Sequence, residues 1–202
     1  MTNHSAGGAP HGFDFSRHMR WVCEDMVRRL VDLAHIDLTA VAIGFTQARR
    51  TGPHGVYASL TPMRFEGGAV VTQRAGRQFA VQRLHNDAGD ELLYLLSFSL
   101  PRFLNCPLDE KLITICHELW HISPAFDGDL RRFGGRCYAH GGSRARFDAR
   151  AAKLAREWLA RKPPDTLLEP LRKNFAQLQA HYGRVYGIRI RAPKLLPAVG
   201  AG

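Results

Sequence analysis

The sequence predicts an α+β fold in a single domain, and three observations carry that reading. Apolar residues recur at helical spacing near the start and again after residue 145, while residues 39–100 alternate short β-branched runs with Gly- and Pro-marked turns. The chain has 202 residues, enough for one well-filled core and short for two. With 45% hydrophobic and 23% charged residues it has the balance of a folded globular protein, which excludes a wholly disordered chain, a collagen-like rod and a coiled coil.

Residues 1–12 are small, polar and rich in Gly and His, and are expected to be a disordered start. From residue 13 to 202 the expectation is one folded unit. Met19, Val22, Met26, Val27, Leu30 and Leu33 share one helical face, which predicts a helix over residues 15–34 with Ser16 as its cap. Residues 39–45 are β-branched and short, a strand by composition. Turn signals at Thr51-Gly52-Pro53, Glu66-Gly67-Gly68 and Asn86-Asp87-Ala88-Gly89 separate strands expected at 57–65, 70–72, 78–84 and 91–100. Together they predict a small mixed or antiparallel sheet. A helix follows from Asp109 to Pro124, then helices over 146–161 and 165–182 and an extended segment at 188–193, an added strand or a docked tail.

No run approaches the roughly eighteen uninterrupted apolar residues of a membrane span. Nor do the first dozen residues hold an apolar signal core, so the expected location is cytoplasmic. Cys23, Cys106, Cys116 and Cys137 are too few and too scattered for a disulfide scaffold, and free thiols are expected. Twenty-eight Lys and Arg against eighteen Asp and Glu give a net charge of +10. A field of that sign attracts polyanions, so nucleic acid is a candidate partner through a basic surface, with a merely solvated basic face as the plain alternative.

The segment that carries chemistry is His117-Glu118-Leu119-Trp120-His121. Residues four apart on a helix lie about 40° apart and one turn up, so two imidazoles at this spacing can grip one metal ion. Glu118 falls on the flank of the same face, where a carboxylate can take a proton from water activated by the metal without being a ligand. Leu112, Ile115, Leu119 and Ile122 fall on the opposite side, an apolar back for the core. The plain alternative is two histidines in contact on an exposed helix face. Two histidines leave a third protein ligand to be found. The candidates, in order, are His140, Asp127, Glu157 and Cys137, with Asp129 as a further oxygen donor. The six residues after His121 lack the Gly and His of a metzincin, so that class is excluded. Arg131, Arg132 and Arg136 would make the cleft mouth positive, with a solvated loop as the plain alternative, and Trp120 reads as a packing residue.

The HExxH run at 117–121, a short Asp127-Gly128 insertion, then His140-Gly141 followed by Phe147 resemble the SprT-like and minimal gluzincin-type zincins, most closely phage-type metallopeptidases. The resemblance covers roughly residues 40 to 160. The cysteine zinc ribbon typical of bacterial SprT-like chains does not follow. The resemblance implies a zincin-like domain with a C-terminal helical extension, Zn2+ as cofactor held by His117, His121 and His140, and Glu118 as general base. It also implies hydrolysis of a peptide or protein substrate laid against an edge strand; residues 91–100 are a candidate, although their composition favours a core strand, and Tyr138 is a candidate oxyanion donor, with a structural tyrosine as the plain alternative. The alternative is a basic DNA-associated or structural protein with a non-catalytic zinc site.

Overall fold

The computed structural model describes residues 12–47, 55–133 and 144–198. Among them, five α-helices and three small sheets make a mixed α+β architecture. Strand β1 (Phe13–Asp14) leads directly into α1 (Phe15–Arg29). In chain order there follow β2 (Val41–Gln47), β3 (Ala58–Pro62), β4 (Val71–Arg74), β5 (Arg77–Val81), β6 (Tyr94–Leu100), α2 (Leu108–Trp120), α3 (Arg144–Ala160), α4 (Asp165–Arg172), α5 (Phe175–Tyr182), β7 (Val185–Tyr186) and β8 (Leu195–Pro197). No helix among the described residues is long and apolar enough to cross a membrane. Apart from Gly12, the expected disordered start lies outside the described residues.

Helix α1 buries Phe15, Met19, Val22, Cys23 and Met26 completely, the face its apolar spacing predicts. Two details differ from expectation. Asp14, not Ser16, caps the helix, accepting the Arg17 N–H at 3.0 Å. Ser16 is buried within the first turn, and its hydroxyl accepts the N–H of Ile188 at 2.8 Å. The helix also ends at Arg29. Leu30 takes extended backbone to stay buried, and a 3-10 turn at Val31–Leu33 continues the apolar spacing in a form that a helical pattern imitates.

The central sheet has the order β2-β6-β3, with β6 parallel to β2 and antiparallel to β3. Tyr94, Leu95, Leu96, Phe98 and Leu100 are all buried, as a central strand covered on both faces requires. The segment 91–100 is therefore core and no platform for a substrate. At the outer edge of β2, the Phe45 N–H donates to the Ile188 carbonyl at 2.9 Å and the Ile190 N–H donates to the Phe45 carbonyl at 2.9 Å. The extended C-terminal segment thus docks as an added strand. Gly44 permits the approach, since a Cβ there would stand 2.3 Å from the Ile188 carbonyl oxygen. A second three-stranded sheet, β4-β5-β8, is antiparallel throughout, and Ala75 and Gly76 make its tight hairpin with φ of 49° and 75°.

The helices pack on this frame. Trp158 of α3 donates its indole N–H to Asp25 of α1 at 2.9 Å. The fully buried Lys111 of α2 donates to the carbonyls of Leu171 and Lys173 at 2.7 and 2.9 Å, satisfying the open end of α4. The helix expected over 165–182 is two helices, because the chain extends at Lys173 and Asn174 and starts afresh on a capping box formed by Asn174 and Gln177.

Candidate metal centre and cleft

Helix α2 begins after Pro107 with Asp109 and Glu110 in its first turn, where carboxylates favour the positive helix end. Leu112, Ile115, Leu119 and Ile122 are fully buried on one side, as expected from the sequence. The other side faces a cleft of about 580 Å3 whose lining includes His117, Glu118 and His121. The helix end is pinned from outside. The His121 carbonyl accepts the Arg131 N–H at 2.6 Å, and Ile122 pairs with Leu130 as the chain returns.

The two imidazoles meet edge to face, with Nε2 of His117 3.1 Å from Nε2 of His121. Nδ1 of His117 lies 3.1 Å from a carboxylate oxygen of Asp148 on α3. That pairing presents the His117 Nε2 lone pair towards His121 and orients the ring, the arrangement metal-ligating histidines commonly have. Phe147, next to Asp148, stacks on His121 with ring centroids 4.4 Å apart and meets His117 edge-on at 4.7 Å. One turn of α3 therefore sets both rings. Neither residue was foreseen as a site group, although Phe147 belongs to the motif that carried the resemblance.

Glu118 is buried at 9% exposure, and one carboxylate oxygen accepts the Leu60 N–H at 2.8 Å. Burial pushes its carboxyl up to about 7, and the Leu60 bond offsets only part of that rise. Leu60 belongs to β3, the strand at the other edge of the central sheet. The Tyr57 carbonyl accepts the N–H of Ser99 in β6 and the Met63 N–H donates to Leu93 just before it, so by alternation Ala58 and Leu60 turn their backbone groups outward, to the cleft. The strand that borders the cleft is thus β3, while 91–100 is the core strand that its composition favours.

The remaining candidates sort plainly. His140, Cys137, Tyr138 and Arg136 lie outside the described residues. Asp127 structures its own loop: its carboxylate accepts the Asp129 N–H at 3.2 Å and its Cβ faces Gly68. Glu157 sits 3.5 Å from Lys153 on α3, away from the cleft lining. Neither joins the histidines, because loop geometry holds the first and helix phase carries the second past the site. Among the described residues, no group of three His, Cys, Asp or Glu is arranged to hold a metal. Arg131 stacks on Trp120 at 3.7 Å, while Arg132 bonds Asp129 at 2.6 Å. They brace the return loop, and among the described residues the cation lining the cleft is Arg144. Trp120 is a packing residue, as expected. Phe133 meets Phe147 edge-on at 6.0 Å.

The donor chemistry fits a divalent transition metal: two imidazole nitrogens converge, one is backed by a carboxylate, and a buried carboxyl stands alongside without competing for them. Comparison of the chain with known families, curated proteins and solved structures finds no match.

Proposed function

We propose that this chain is a zinc-dependent metallopeptidase of zincin type. His117 and His121 hold the ion, His140 completes the ligand set, and Glu118 is the general base. The observation that carries the reading is the convergence of the two Nε2 atoms, 3.1 Å apart, beside a buried glutamate tied to an edge strand. Zinc bound there supplies a Lewis acid that acidifies water and polarises a carbonyl.

The chain's own groups supply the rest. An extended substrate lies along β3, bonding to the outward backbone groups of Ala58 and to the Leu60 carbonyl, since the Leu60 N–H is engaged by Glu118, an alignment by strand addition. Pro62 offers no N–H and ends that pairing edge. Glu118 takes the proton of the attacking water and returns it to the leaving amine. Burial raises its carboxyl and a bound cation lowers it, and the two opposing influences act on the same proton carrier. The Leu60 N–H holds the Glu118 carboxyl group in position through both transfers. Asp148 holds His117 in the tautomer that presents Nε2 to the metal, and Phe147 keeps the second ring in place.

Elemental analysis of the purified chain and of His117→Ala, followed by cleavage of a denatured protein substrate, tests this. Stoichiometric zinc lost in His117→Ala, with hydrolysis lost in Glu118→Gln while zinc is kept, is the expected result. No bound zinc after zinc is supplied would remove the reading. Zinc retained without hydrolysis in the unaltered chain would leave a structural site.

A further inference from the structure

The net charge of +10 is unevenly placed. Residues 67–86 and 170–202 contain no Asp or Glu at all. These stretches supply the whole β4-β5-β8 sheet and the segment that docks beside β2. Arg74 and Arg77 are direct cross-strand partners at the hairpin end of β4 and β5. Like charges placed opposite one another destabilise a strand pair unless something anionic lies between them. At the other end of the sheet, Arg189, Arg191 and Lys194 rim a groove of about 520 Å3. The nearby Glu91 is engaged by Arg64 at 2.7 Å and Arg83 at 3.6 Å. Among the described residues, no carboxylate pairs with any of the five cations at the two ends.

From Arg77, β5 continues to Gln82, whose N–H donates to the Lys194 carbonyl at 2.8 Å. Five residues of strand at about 3.4 Å each put the two cationic ends about 17 Å apart. That is about five base pairs along a duplex, over which phosphates recur on both strands. We infer that the β4-β5-β8 sheet and the Arg189–Lys194 rim dock the phosphate backbone of duplex nucleic acid.

The side chains favour that occupant over others. Four of the five cations are arginine, whose planar fork matches two phosphate oxygens. Strands β4, β5 and β8 hold no Trp or Tyr, and Phe79 is half-buried, so the stacking platform that single strands use is missing from the sheet. Val70, Val71, Leu195 and Leu196 are exposed, but Leu195, opposite Val81, falls on the other face from Val71 and Leu196, which both pair with Ala80, so strand alternation divides the apolar side chains between the two faces. The interaction reads backbone and not sequence.

Fluorescence anisotropy with a labelled duplex DNA of about 20 base pairs, titrated at several salt concentrations, tests this. About five phosphate contacts should weaken binding several hundred-fold between roughly 50 and 200 mM KCl. Each double reversal, Arg74→Glu with Arg77→Glu and Arg189→Glu with Arg191→Glu, should lower the log–log salt slope by about 2. Thermal melting and zinc content of each variant serve as folding controls, and glutamine at the same positions replaces any reversal that unfolds. Three outcomes overturn the inference: no duplex binding at about 50 mM salt, a slope unchanged in both variants, or displacement of the duplex by poly-L-glutamate at equal charge. The test reads binding alone, so it stands or falls separately from the peptidase reading.

Discussion

Strands β2 and β3 flank the same buried strand, β6, yet the chain treats their outer edges oppositely. Beyond β2, Ile188 and Ile190 bond to Phe45 and close the edge, with Gly44 left bare to admit them. Beyond β3, the Leu60 N–H turns to Glu118 of the HExxH helix, and the cleft opens there. An uncovered edge invites pairing with any extended chain, so folded proteins cover edges that have no use. The difference teaches that, among the described residues, covering and exposure agree with the proposed chemistry: the edge that borders the cleft is the one beside the buried Glu118.

The largest expected effect falls on the available edge. Glu118→Gln keeps the shape and the acceptor for the Leu60 N–H but removes the proton carrier. Hydrolysis should fall by about 10²–10⁴-fold, with melting temperature and zinc content little changed. Peptide-cleavage rates beside elemental analysis check this, and full activity in the variant would take the base role from Glu118.

At the covered edge the expected effect is on stability alone. Gly44→Ala places a Cβ 2.3 Å from the Ile188 carbonyl, so the docked segment must shift. A loss of about 1–3 kcal/mol is expected in urea unfolding, with zinc affinity unaltered. An equal fall in zinc affinity would mean that the two edges are coupled, and the contrast between them would fail.

Asp148→Asn sharpens the comparison from the cleft side. The amide can turn its N–H₂ towards His117 and favour the wrong tautomer, so zinc affinity should fall about 10–100-fold while the fold holds. Competition with a calibrated chelator measures it. Unchanged affinity would mark Asp148 as a surface partner of Arg144, which lies 3.7 Å away.

Much of this arrangement was legible in the sequence because it follows local periodicity. The apolar back of α2 and its histidine face need only the angular step of a helix. Strand β6 announced itself as a dense apolar run, and that density, which signals a strand covered on both faces, favoured core over edge. Which strand borders the cleft depends on sheet order, and β3 lies 36 positions before β6 with nothing local to reveal their pairing. Asp148 illustrates the same limit. Its contact with His117 arises from packing of α3 on α2, and an Asp on a helix among arginines reads as a solvated charge. Ser16 looked like a cap because it opens an apolar pattern, but its hydroxyl serves a segment 172 positions away. Asp127 looked like a ligand by spacing, and the loop it organises turns it aside.

The smallest expected effect is a matter of protons. In the metal-free chain burial holds the Glu118 carboxyl at about 7, so below that pH the folded protein keeps its proton. A divalent cation beside the group favours the carboxylate and lowers that value. Zinc uptake at about pH 6 should therefore release a proton from Glu118, whereas at about pH 8 the carboxyl is already ionised and has none to give. Calorimetric titration in two buffers of different ionisation heat reads the number released at each pH. Glu118→Gln should remove this carboxyl's share at the lower pH and change little at the higher one. Equal release by the two proteins at the lower pH would mean that the carboxyl is ionised before zinc arrives. A base ionised that early returns its proton to the leaving amine less readily, and the buried setting of Glu118 beside β3 would then steady the helix without tuning its acid–base chemistry.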